Sequence, residues 1–310
     1  MLTELLASDA YLSYAYAYPH KTAYRTLAPA VPLREAWADE PRDALFLYLH
    51  VPFCEQRCGF CNLFTQARPK DGVAERYLGA LERQAVVVAE ALSVGEAPRF
   101  ARLAIGGGTP TFLGAPLLDR LFGVVERLGA AGVPSSVEAS PATLDDAQIA
   151  VLAARGVTRV SLGVQSAFAE ETSAVQRRQA LADVERVMAG LAERVPVRNV
   201  DLIYGLPGQT AATLRASIDL ALGLGANEVY LYPLYVRPLT GMGRRGAAPS
   251  DRLALYRVGR DHLLAAGWTQ VSMRMFRAPG APDTGGPVYR CQDDGMVGLG
   301  AGARSYTRRL

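Results

Sequence analysis

Short apolar runs alternate with longer stretches of helical periodicity through most of the chain. Apolar runs at 45–51, 100–105, 136–139, 159–164, 197–203 and 228–234 predict buried strands. Helical periodicity at 73–92, 115–129, 145–154, 169–194 and 210–224 predicts the helices between them. Strands that alternate with helices in this way form parallel sheets with right-handed crossovers. The pattern therefore predicts an α/β fold of the parallel-barrel type.

The two ends of the chain depart from this rhythm. Residues 1–44 contain four prolines and tyrosines at positions 11, 14, 16, 18 and 24, and we expect this arm to pack its rings on the barrel rather than on a substrate. A stretch rich in Pro, Gly and Arg at 235–245 predicts a loop over the barrel mouth. A helix at 251–266, a strand at 269–276 and an apolar run at 296–302 follow. We therefore expect three regions: an arm (1–44), a barrel (45–235) and a C-terminal extension of the sheet (236–310).

Composition narrows the class of protein. The chain has 310 residues, half of them hydrophobic, so it can bury a sizeable core as one barrel. The formal charge of +3 is small, and no basic run suggests a nucleic-acid partner. The sequence has no secretion signal and no apolar run long enough to span a bilayer. Few cysteines, most of them clustered, fit a reducing compartment. We expect a cytoplasmic protein with no membrane partner.

Three of the four cysteines lie together directly after the first predicted strand. Cys54, Cys58 and Cys61 have the spacing C-x3-C-x2-C, and an odd number of clustered cysteines cannot pair off into disulfides. Three thiolates fit a [4Fe–4S] cluster whose fourth iron stays open for a non-protein ligand. The amino and carboxylate groups of S-adenosylmethionine are such a ligand. The alternative is a structural zinc site in which His50 is the fourth ligand.

Unusual residues also follow the next four predicted strands, and in a parallel barrel the reactive groups gather at these strand ends. The run Gly106-Gly107-Gly108-Thr109 follows the second strand, Glu138 the third, Gln165 the fourth and Asp201 the fifth. Glycines let backbone groups approach a ligand closely. Buried carboxylates need partners, which ribose hydroxyls or an amino group would supply. Each residue alone also has a purely structural explanation as a tight turn, a salt bridge or a loop cap.

These motifs together resemble one known family. The run from Tyr48 to Cys61, with Gly107-Gly108-Thr109-Pro110, Ser161–Ser166 and Asp201–Pro207, is similar to the radical S-adenosylmethionine superfamily. The similarity is greatest to the oxygen-independent coproporphyrinogen III oxidase-like branch. It runs from Tyr48 to near the C-terminus. The resemblance implies a partial (β/α)6 barrel of the TIM type that holds one [4Fe–4S] cluster on the three clustered cysteines.

The resemblance also implies which residues hold the cosubstrates. The residues that match positions around the cluster-bound S-adenosylmethionine are Tyr48, Gly107 and Glu138. The residues that match positions around a second S-adenosylmethionine are Phe60, Gly108, Thr109, Gln165, Arg177 and Asp201. Arg177 falls early in the predicted helix 169–194, where on its own it would be a surface charge. The implied partners are a small-molecule substrate such as a tetrapyrrole and an electron donor such as flavodoxin or ferredoxin.

The implied reaction begins with reductive cleavage of S-adenosylmethionine to methionine and a 5′-deoxyadenosyl radical, which removes a hydrogen atom from an unactivated carbon. In the dehydrogenase this leads to oxidative decarboxylation of a propionate side chain. A methyltransferase that uses the second S-adenosylmethionine and a haem chaperone are the alternatives.

Two departures from the family leave the substrate open. Leu63 stands where the dehydrogenases have a further cysteine, and Cys291 is not followed by the histidine of the haem chaperones. Relatives also carry a further C-terminal domain over the pocket, and we expect this chain to lack it or to be a fragment.

Overall fold

The computed structural model of the protein describes residues 25–93, 97–244, 251–291 and 293–309. The tyrosines predicted to pack on the barrel lie outside these ranges. Within them, no helix is long and apolar enough to cross a membrane.

The elements follow the predicted alternation. The strands are β1 (Leu45–Val51), β2 (Phe53–Cys54), β3 (Gln66–Ala67), β4 (Phe100–Gly107), β5 (Ser135–Ala139), β6 (Arg159–Gln165), β7 (Val197–Tyr204), β8 (Glu228–Pro233), β9 (Thr269–Gln270), β10 (Met275–Arg277) and β11 (Met296–Leu299). The helices are α1 (Leu33–Ala36), α2 (Val73–Leu92), α3 (Ala115–Arg127), α4 (Asp146–Ala154), α5 (Ala169–Ala174), α6 (Leu181–Leu191), α7 (Ala211–Gly223), α8 (Gly241–Arg244) and α9 (Arg252–Ala265). A short 3₁₀ helix covers Pro110–Phe112.

The main sheet has nine strands in the order β11-β1-β4-β5-β6-β7-β8-β10-β9. The six strands from β1 to β8 in this order pair parallel to one another, and each is followed along the chain by at least one helix. Strand β11 extends one edge parallel to β1, whereas β10 and β9 extend the other edge as antiparallel strands. The order confirms the partial (β/α)6 barrel with a C-terminal extension of the sheet. It brings the carboxyl ends of all six barrel strands to one edge.

Burial explains why these segments form these elements. On β1, Leu45, Leu47 and Leu49 are fully buried, as expected for a barrel strand with one face in the core. Helix α2 buries a stripe of side chains on the face toward the sheet, formed by Leu78, Leu81, Ala85, Val88 and Leu92. Each fully buried leucine contributes roughly 1.5–3 kcal/mol of transfer free energy. The apolar pattern therefore fixes both the elements and the faces that they bury.

The predicted helix 169–194 is wrong, because this segment forms two helices, α5 and α6, joined by a turn at 175–180. Gln176 adopts a left-handed backbone conformation with φ 58°, which a continuing helix cannot accommodate. The N–H of Arg177 instead donates to Thr172 O at 2.9 Å. Arg177 therefore lies in the turn and not on a helix, which changes what its side chain can reach.

The predicted strand 269–276 is also interrupted. Thr269–Gln270 and Met275–Arg277 form two antiparallel strands, β9 and β10, around a turn in which Val271 N donates to Met275 O at 2.9 Å. The turn forms because β10 pairs with β8 on one side and with β9 on the other.

Candidate functional site

A cavity of about 640 Å³ lies at the carboxyl ends of the barrel strands. Every predicted site residue except Tyr48 lines it: Cys54, Cys58, Phe60, Cys61, Gly107, Gly108, Thr109, Glu138, Gln165, Arg177 and Asp201. These residues come from β2, β4, β5, β6, β7 and the connections that follow the strands. The parallel order of the sheet thus brings together residues that are up to 147 positions apart, from Cys54 to Asp201.

The cysteine loop is held against the barrel by backbone hydrogen bonds. Strands β2 and β3 pair parallel on either side of the loop, and Gln66 N donates to Pro52 O at 2.7 Å. Inside the loop, Cys61 N donates to Cys58 O at 3.1 Å. All three cysteines are free and partly exposed. The loop therefore presents three thiols to one cavity.

Two of the three sulfur atoms accept hydrogen bonds from residues of other segments. The Thr109 hydroxyl donates to Cys54 Sγ at 3.6 Å, and Arg177 Nη1 donates to Cys58 Sγ at 3.6 Å. Burial raises the pKa of the Cys54 thiol, the Thr109 hydroxyl opposes this, and the thiols of Cys61 and Cys58 raise it further. Donors aimed at sulfur are the arrangement expected around thiolate ligands.

His50 is not available as the fourth ligand of a zinc site, because both of its ring nitrogens already take part in hydrogen bonds. Nε2 lies 2.9 Å from Phe64 O, which only accepts, so we assign the proton to Nε2. Nδ1 then accepts from the Tyr48 hydroxyl at 3.0 Å. The His50 ring also packs against Gly107.

The described residues contain no group of three His, Cys, Asp or Glu that could hold a single metal ion. A [4Fe–4S] cluster makes a different demand, because its thiolates are soft ligands spread over several irons. The three thiols around one cavity fit that demand.

Tyr48 is the predicted site residue that the structure does not bring to the cavity wall. Its hydroxyl donates to His50, which in turn donates to Phe64 at the end of the cysteine loop. Burial raises the pKa of the Tyr48 hydroxyl, and the negative charge of Glu138 raises it further. The visible role of Tyr48 is to link β1 to the cysteine loop, whereas its contact with a cosubstrate stays a prediction.

The structure explains why three glycines stand at positions 106–108, which the sequence alone did not. A Cβ on Gly106 would lie 2.8 Å from the Glu138 carboxyl carbon, one on Gly107 would overlap the His50 ring, and one on Gly108 would lie 2.6 Å from Phe53 O. Gly107 also has φ 110°, which side chains rarely adopt. Each glycine is therefore required for close packing inside the site, whatever ligand binds there.

Glu138 stands at the floor of the cavity with its carboxyl group toward the open space. Gly107 N donates to its Oε2 at 3.1 Å. Burial among the barrel strands raises the pKa of Glu138 to about 7, the Gly107 N–H opposes this, and Asp201 raises it further. The side chain is nevertheless exposed at the open face of the cavity, so solvent screening reduces the effect of this shift on stability.

Asp201 is the second carboxylate of the cavity, and it belongs to a polar network that the sequence did not indicate. It accepts hydrogen bonds from Ser161 Oγ at 3.0 Å and from Asn199 Nδ2 at 2.7 Å. Burial raises the pKa of Asp201, and the guanidinium of Arg159 opposes this most strongly. Arg159 is in turn paired with Glu228 at 2.7 Å. These strand residues give no linear motif, since their partners lie on neighbouring strands.

Gln165 ends β6 in a left-handed conformation, with φ 70°, at an irregularity in the pairing of β6 with β7. Irregularities of this kind redirect side chains at the end of a strand. The amide nitrogen of Gln165 lies close to Gly163, where an added Cβ would be only 2.9 Å away from it. Phe60 packs beside a small apolar cluster formed by Val175, Ile203, Leu206, Leu234 and Met242. The cavity lining thus includes an aromatic face and an amide.

Three further residues of the cavity lining were not predicted from the sequence. Tyr232 lines the cavity from β8, and Tyr235 and Arg237 line it from the connection that follows. Tyr232 stacks on Tyr230 with ring centroids 5.6 Å apart, and the Arg237 guanidinium lies 5.3 Å from the Tyr235 ring centroid. Burial raises the pKa of the Tyr232 hydroxyl. The recurrence of tyrosine at positions 230, 232 and 235 was the available signal in the sequence.

Comparison with known proteins identifies the family. The family model described as Radical SAM superfamily matches residues 48–221, which is more than half of the chain. The chain belongs to the radical SAM superfamily. This membership implies a [4Fe–4S] cluster and S-adenosylmethionine as cofactors.

Relatives define the branch. A Paracoccus denitrificans protein named oxygen-independent coproporphyrinogen III oxidase is 32% identical in an alignment 279 positions long that covers 84% of this chain and 61% of that protein. The heme chaperone HemW of Mycobacterium tuberculosis is 33% identical in an alignment 286 positions long that covers 87% of this chain and 71% of that protein. The solved structure of coproporphyrinogen III oxidase (HemN) from Escherichia coli, described as a radical SAM enzyme, has a TM-score of 0.78 at 26% identity and covers 89% of this chain and 67% of its own. The chain therefore belongs to the oxygen-independent coproporphyrinogen III oxidase-like branch.

Proposed function

We propose that this protein holds a [4Fe–4S] cluster on Cys54, Cys58 and Cys61 and uses it with S-adenosylmethionine to transform a small-molecule substrate. One observation carries the proposal: three thiols on one loop face the same cavity as Glu138 and Asp201. When bound, the cluster supplies the electron that cleaves S-adenosylmethionine, and the resulting 5′-deoxyadenosyl radical removes a hydrogen atom from the substrate.

The protein's own groups would bind and orient the cosubstrate at the cluster. Glu138 has one donor, Gly107 N, and an open face toward the cavity, so its carboxylate can accept from the ammonium of the methionine moiety. Tyr48, which links β1 to the cysteine loop, would keep that loop in register with Gly107. Enclosure by the barrel would exclude water from the reacting atoms.

We further propose a second S-adenosylmethionine in the same cavity. Its partners would be Phe60, Gly108, Thr109, Gln165, Arg177 and Asp201. Asp201 can accept from ribose hydroxyls, and Phe60 offers an aromatic face to a nucleobase. If this molecule donates its methyl group, the enzyme is a methyltransferase.

For the substrate, we propose a tetrapyrrole whose propionate side chain undergoes oxidative decarboxylation. The name of the Paracoccus denitrificans relative supports this class. The wall formed by Tyr232, Tyr235 and Arg237 also supports it, because aromatic rings and a guanidinium suit a large ring compound with carboxylates. A low-potential protein such as flavodoxin or ferredoxin would supply the electrons. The chain spans 61% of the length of that relative. The tetrapyrrole substrate and the electron donor are therefore proposals for this chain.

Haem binding is the second candidate, because the Mycobacterium tuberculosis relative is named heme chaperone HemW. Residues 290–294 include Cys291 and no histidine, so any haem ligand would have to come from another segment.

The test is anaerobic reconstitution followed by incubation with dithionite and S-adenosylmethionine. We expect release of 5′-deoxyadenosine by the wild type and by Cys291→Ala, whose cysteine lies outside the cavity, but not by Cys54→Ala, Cys58→Ala or Cys61→Ala. Loss of activity in Cys291→Ala alone, or retention in the three loop variants, would contradict the proposal. With coproporphyrinogen added, carbon dioxide supports the dehydrogenase and S-adenosylhomocysteine supports the methyltransferase. Stable haem binding without either product supports the chaperone.

A further inference from the structure

Arg177 approaches the cysteine loop from a segment 119 residues further along the chain. Its Nη1 donates to Cys58 Sγ at 3.6 Å, and its Nη2 donates to Gly163 O at 2.5 Å. The third guanidinium nitrogen, Nε, is buried and has no hydrogen-bond partner among the described residues. The guanidinium therefore spans from the end of β6 to a cysteine sulfur.

The turn that carries Arg177 is fixed at several points, so this approach is built into the fold. Gly59 N, inside the cysteine loop, donates to Val175 O at 2.8 Å. Gln179 Nε2 donates to Val164 O at 3.0 Å at the end of β6. Gln176 adopts its left-handed conformation in the same turn. The strained turn is held by its neighbours, and it delivers a positive charge to one particular thiol.

Hydrogen bonds and charges at cysteine sulfurs set the reduction potential of iron–sulfur clusters. Reduction adds one electron, supplied by a low-potential donor, and takes the [4Fe–4S] core from the 2+ to the 1+ state. The added negative charge is shared with the thiolate sulfurs, and a guanidinium in contact with one of them stabilises the reduced state. Thr109 acts in the same direction at Cys54 through a neutral hydroxyl, which is the weaker kind of donor.

We propose that Arg177 adjusts the reduction potential of the cluster. Its contact with Cys58 raises this potential, so that the cluster accepts more readily the electron that cleaves S-adenosylmethionine. This role is separate from any contact of Arg177 with a second S-adenosylmethionine. It rests on the proposed cluster site, because it needs Cys58 as a thiolate ligand.

The adjacent arginine provides a matched control. Arg178 is exposed, and its hydrogen bonds to Gln56 use its backbone N–H and carbonyl rather than its side chain. Arg178→Leu thus removes one positive charge from the same turn without removing a donor to sulfur. Arg177→Gln removes the positive charge and keeps an amide donor. Arg177→Lys keeps the charge but lacks the two Nη groups that bridge Gly163 and Cys58.

The experiment is a redox titration of the reconstituted proteins without S-adenosylmethionine, with the reduced cluster quantified by electron paramagnetic resonance. Iron and sulfide content is measured first, so that failure to form a cluster, which overturns the cluster site itself, is distinguished from an unchanged potential. At the potential that half-reduces the wild type, we expect the reduced-to-oxidised ratio to be about tenfold lower in Arg177→Gln, which equals about 59 mV for one electron. Thr109→Val should shift the ratio the same way but less.

Arg178→Leu should titrate like the wild type, and Arg177→Lys should lie between the wild type and Arg177→Gln. Arg177→Leu is titrated as a second variant without the guanidinium. If one of the two variants assembles its cluster poorly, the other still reports the reduction potential. Arg177→Gln with a wild-type potential would overturn the inference, and so would an equal shift in Arg178→Leu, which would reveal a general charge effect.

Discussion

The backbone N–H of Gly107 donates a hydrogen bond to Glu138 Oε2 at 3.1 Å and links β4 to β5 at the floor of the cavity. The neighbouring Gly106 packs against the same carboxyl group. One protein donor and an open face leave Glu138 able to accept a second donor from a ligand. This arrangement has a consequence for stability that can be measured without any cofactor.

Replacing Glu138 by Gln should remove a pH-dependent loss of stability. The pKa of Glu138 in the folded protein is about 7, above its ordinary value of 4.5, so the folded state favours the protonated form. Its contribution to stability is present below about pH 4.5 and is lost as the pH rises through about 7. We therefore expect the free energy of unfolding of cluster-free wild type to fall, relative to Glu138→Gln, between about pH 5 and pH 8.

Urea unfolding across this range measures the difference. Because the Glu138 side chain is exposed in the cavity, the effect on stability should be smaller than the full pKa shift would give. Glu185→Gln, which removes an exposed carboxylate on α6, controls for the loss of one negative charge outside the cavity. Equal slopes for wild type and Glu138→Gln would show that the carboxyl group titrates normally.

The residues at the strand ends could be predicted from two features of the sequence, the apolar runs and the strand–helix alternation that indicates a parallel sheet. Apolar runs fix β1 and β4–β8 to within two residues, and the parallel order then determines that Cys54, Glu138 and Asp201 meet at one edge. The polar network behind the site was not predictable. Asn199 is fully buried on β7 and reaches Ser161 on β6, and such a contact depends on the lateral pairing of strands rather than on local sequence.

Alanine at Gly108 should destabilise the protein through backbone overlap. A Cβ there would lie 2.6 Å from Phe53 O and 2.8 Å from Pro52 C, and backbone atoms cannot move aside cheaply. We expect a loss of roughly 1–3 kcal/mol or more in the free energy of unfolding, as for overpacked cores. Chemical denaturation measures it.

Gly123→Ala is the matched control for this prediction. Gly123 lies within α3, and a Cβ there would have no atom within 4 Å. Because alanine is the better helix former, this variant should gain roughly 0.5–1 kcal/mol. Gly108→Ala with wild-type stability would mean that the connection between β4 and the cysteine loop is looser than the structure indicates.

Tyr48→Phe should weaken the fold more than it weakens cosubstrate binding. The change removes the hydroxyl that donates to His50 Nδ1 and leaves a buried acceptor unpaired, which costs about 1–3 kcal/mol. Since the Tyr48 side chain does not line the cavity, the affinity of the reconstituted protein for S-adenosylmethionine should change less than in Glu138→Gln. Isothermal titration calorimetry compares the two variants. A greater loss of affinity in Tyr48→Phe would assign its hydroxyl directly to the cosubstrate.

The position of Arg177 shows where sequence patterns stop being informative. Residues 169–194 contain no proline, and the one glycine, Gly190, lies inside α6, so nothing local announces the turn at 175–180. The turn is set by distant partners, since Val175 O accepts from Gly59 N and Gln179 donates to Val164 O. The family resemblance gave the residue, but only the fold gave its contact with Cys58.

We propose that three cysteines hold a [4Fe–4S] cluster with one iron open to S-adenosylmethionine. Mössbauer spectroscopy of ⁵⁷Fe-reconstituted protein, before and after addition of S-adenosylmethionine, tests it most directly. We predict about four irons per chain and a changed isomer shift for one of them when the cosubstrate binds, with the same result in Cys291→Ala. Four irons that do not respond to S-adenosylmethionine, or a protein that takes up zinc and no iron, would overturn the proposed cluster site.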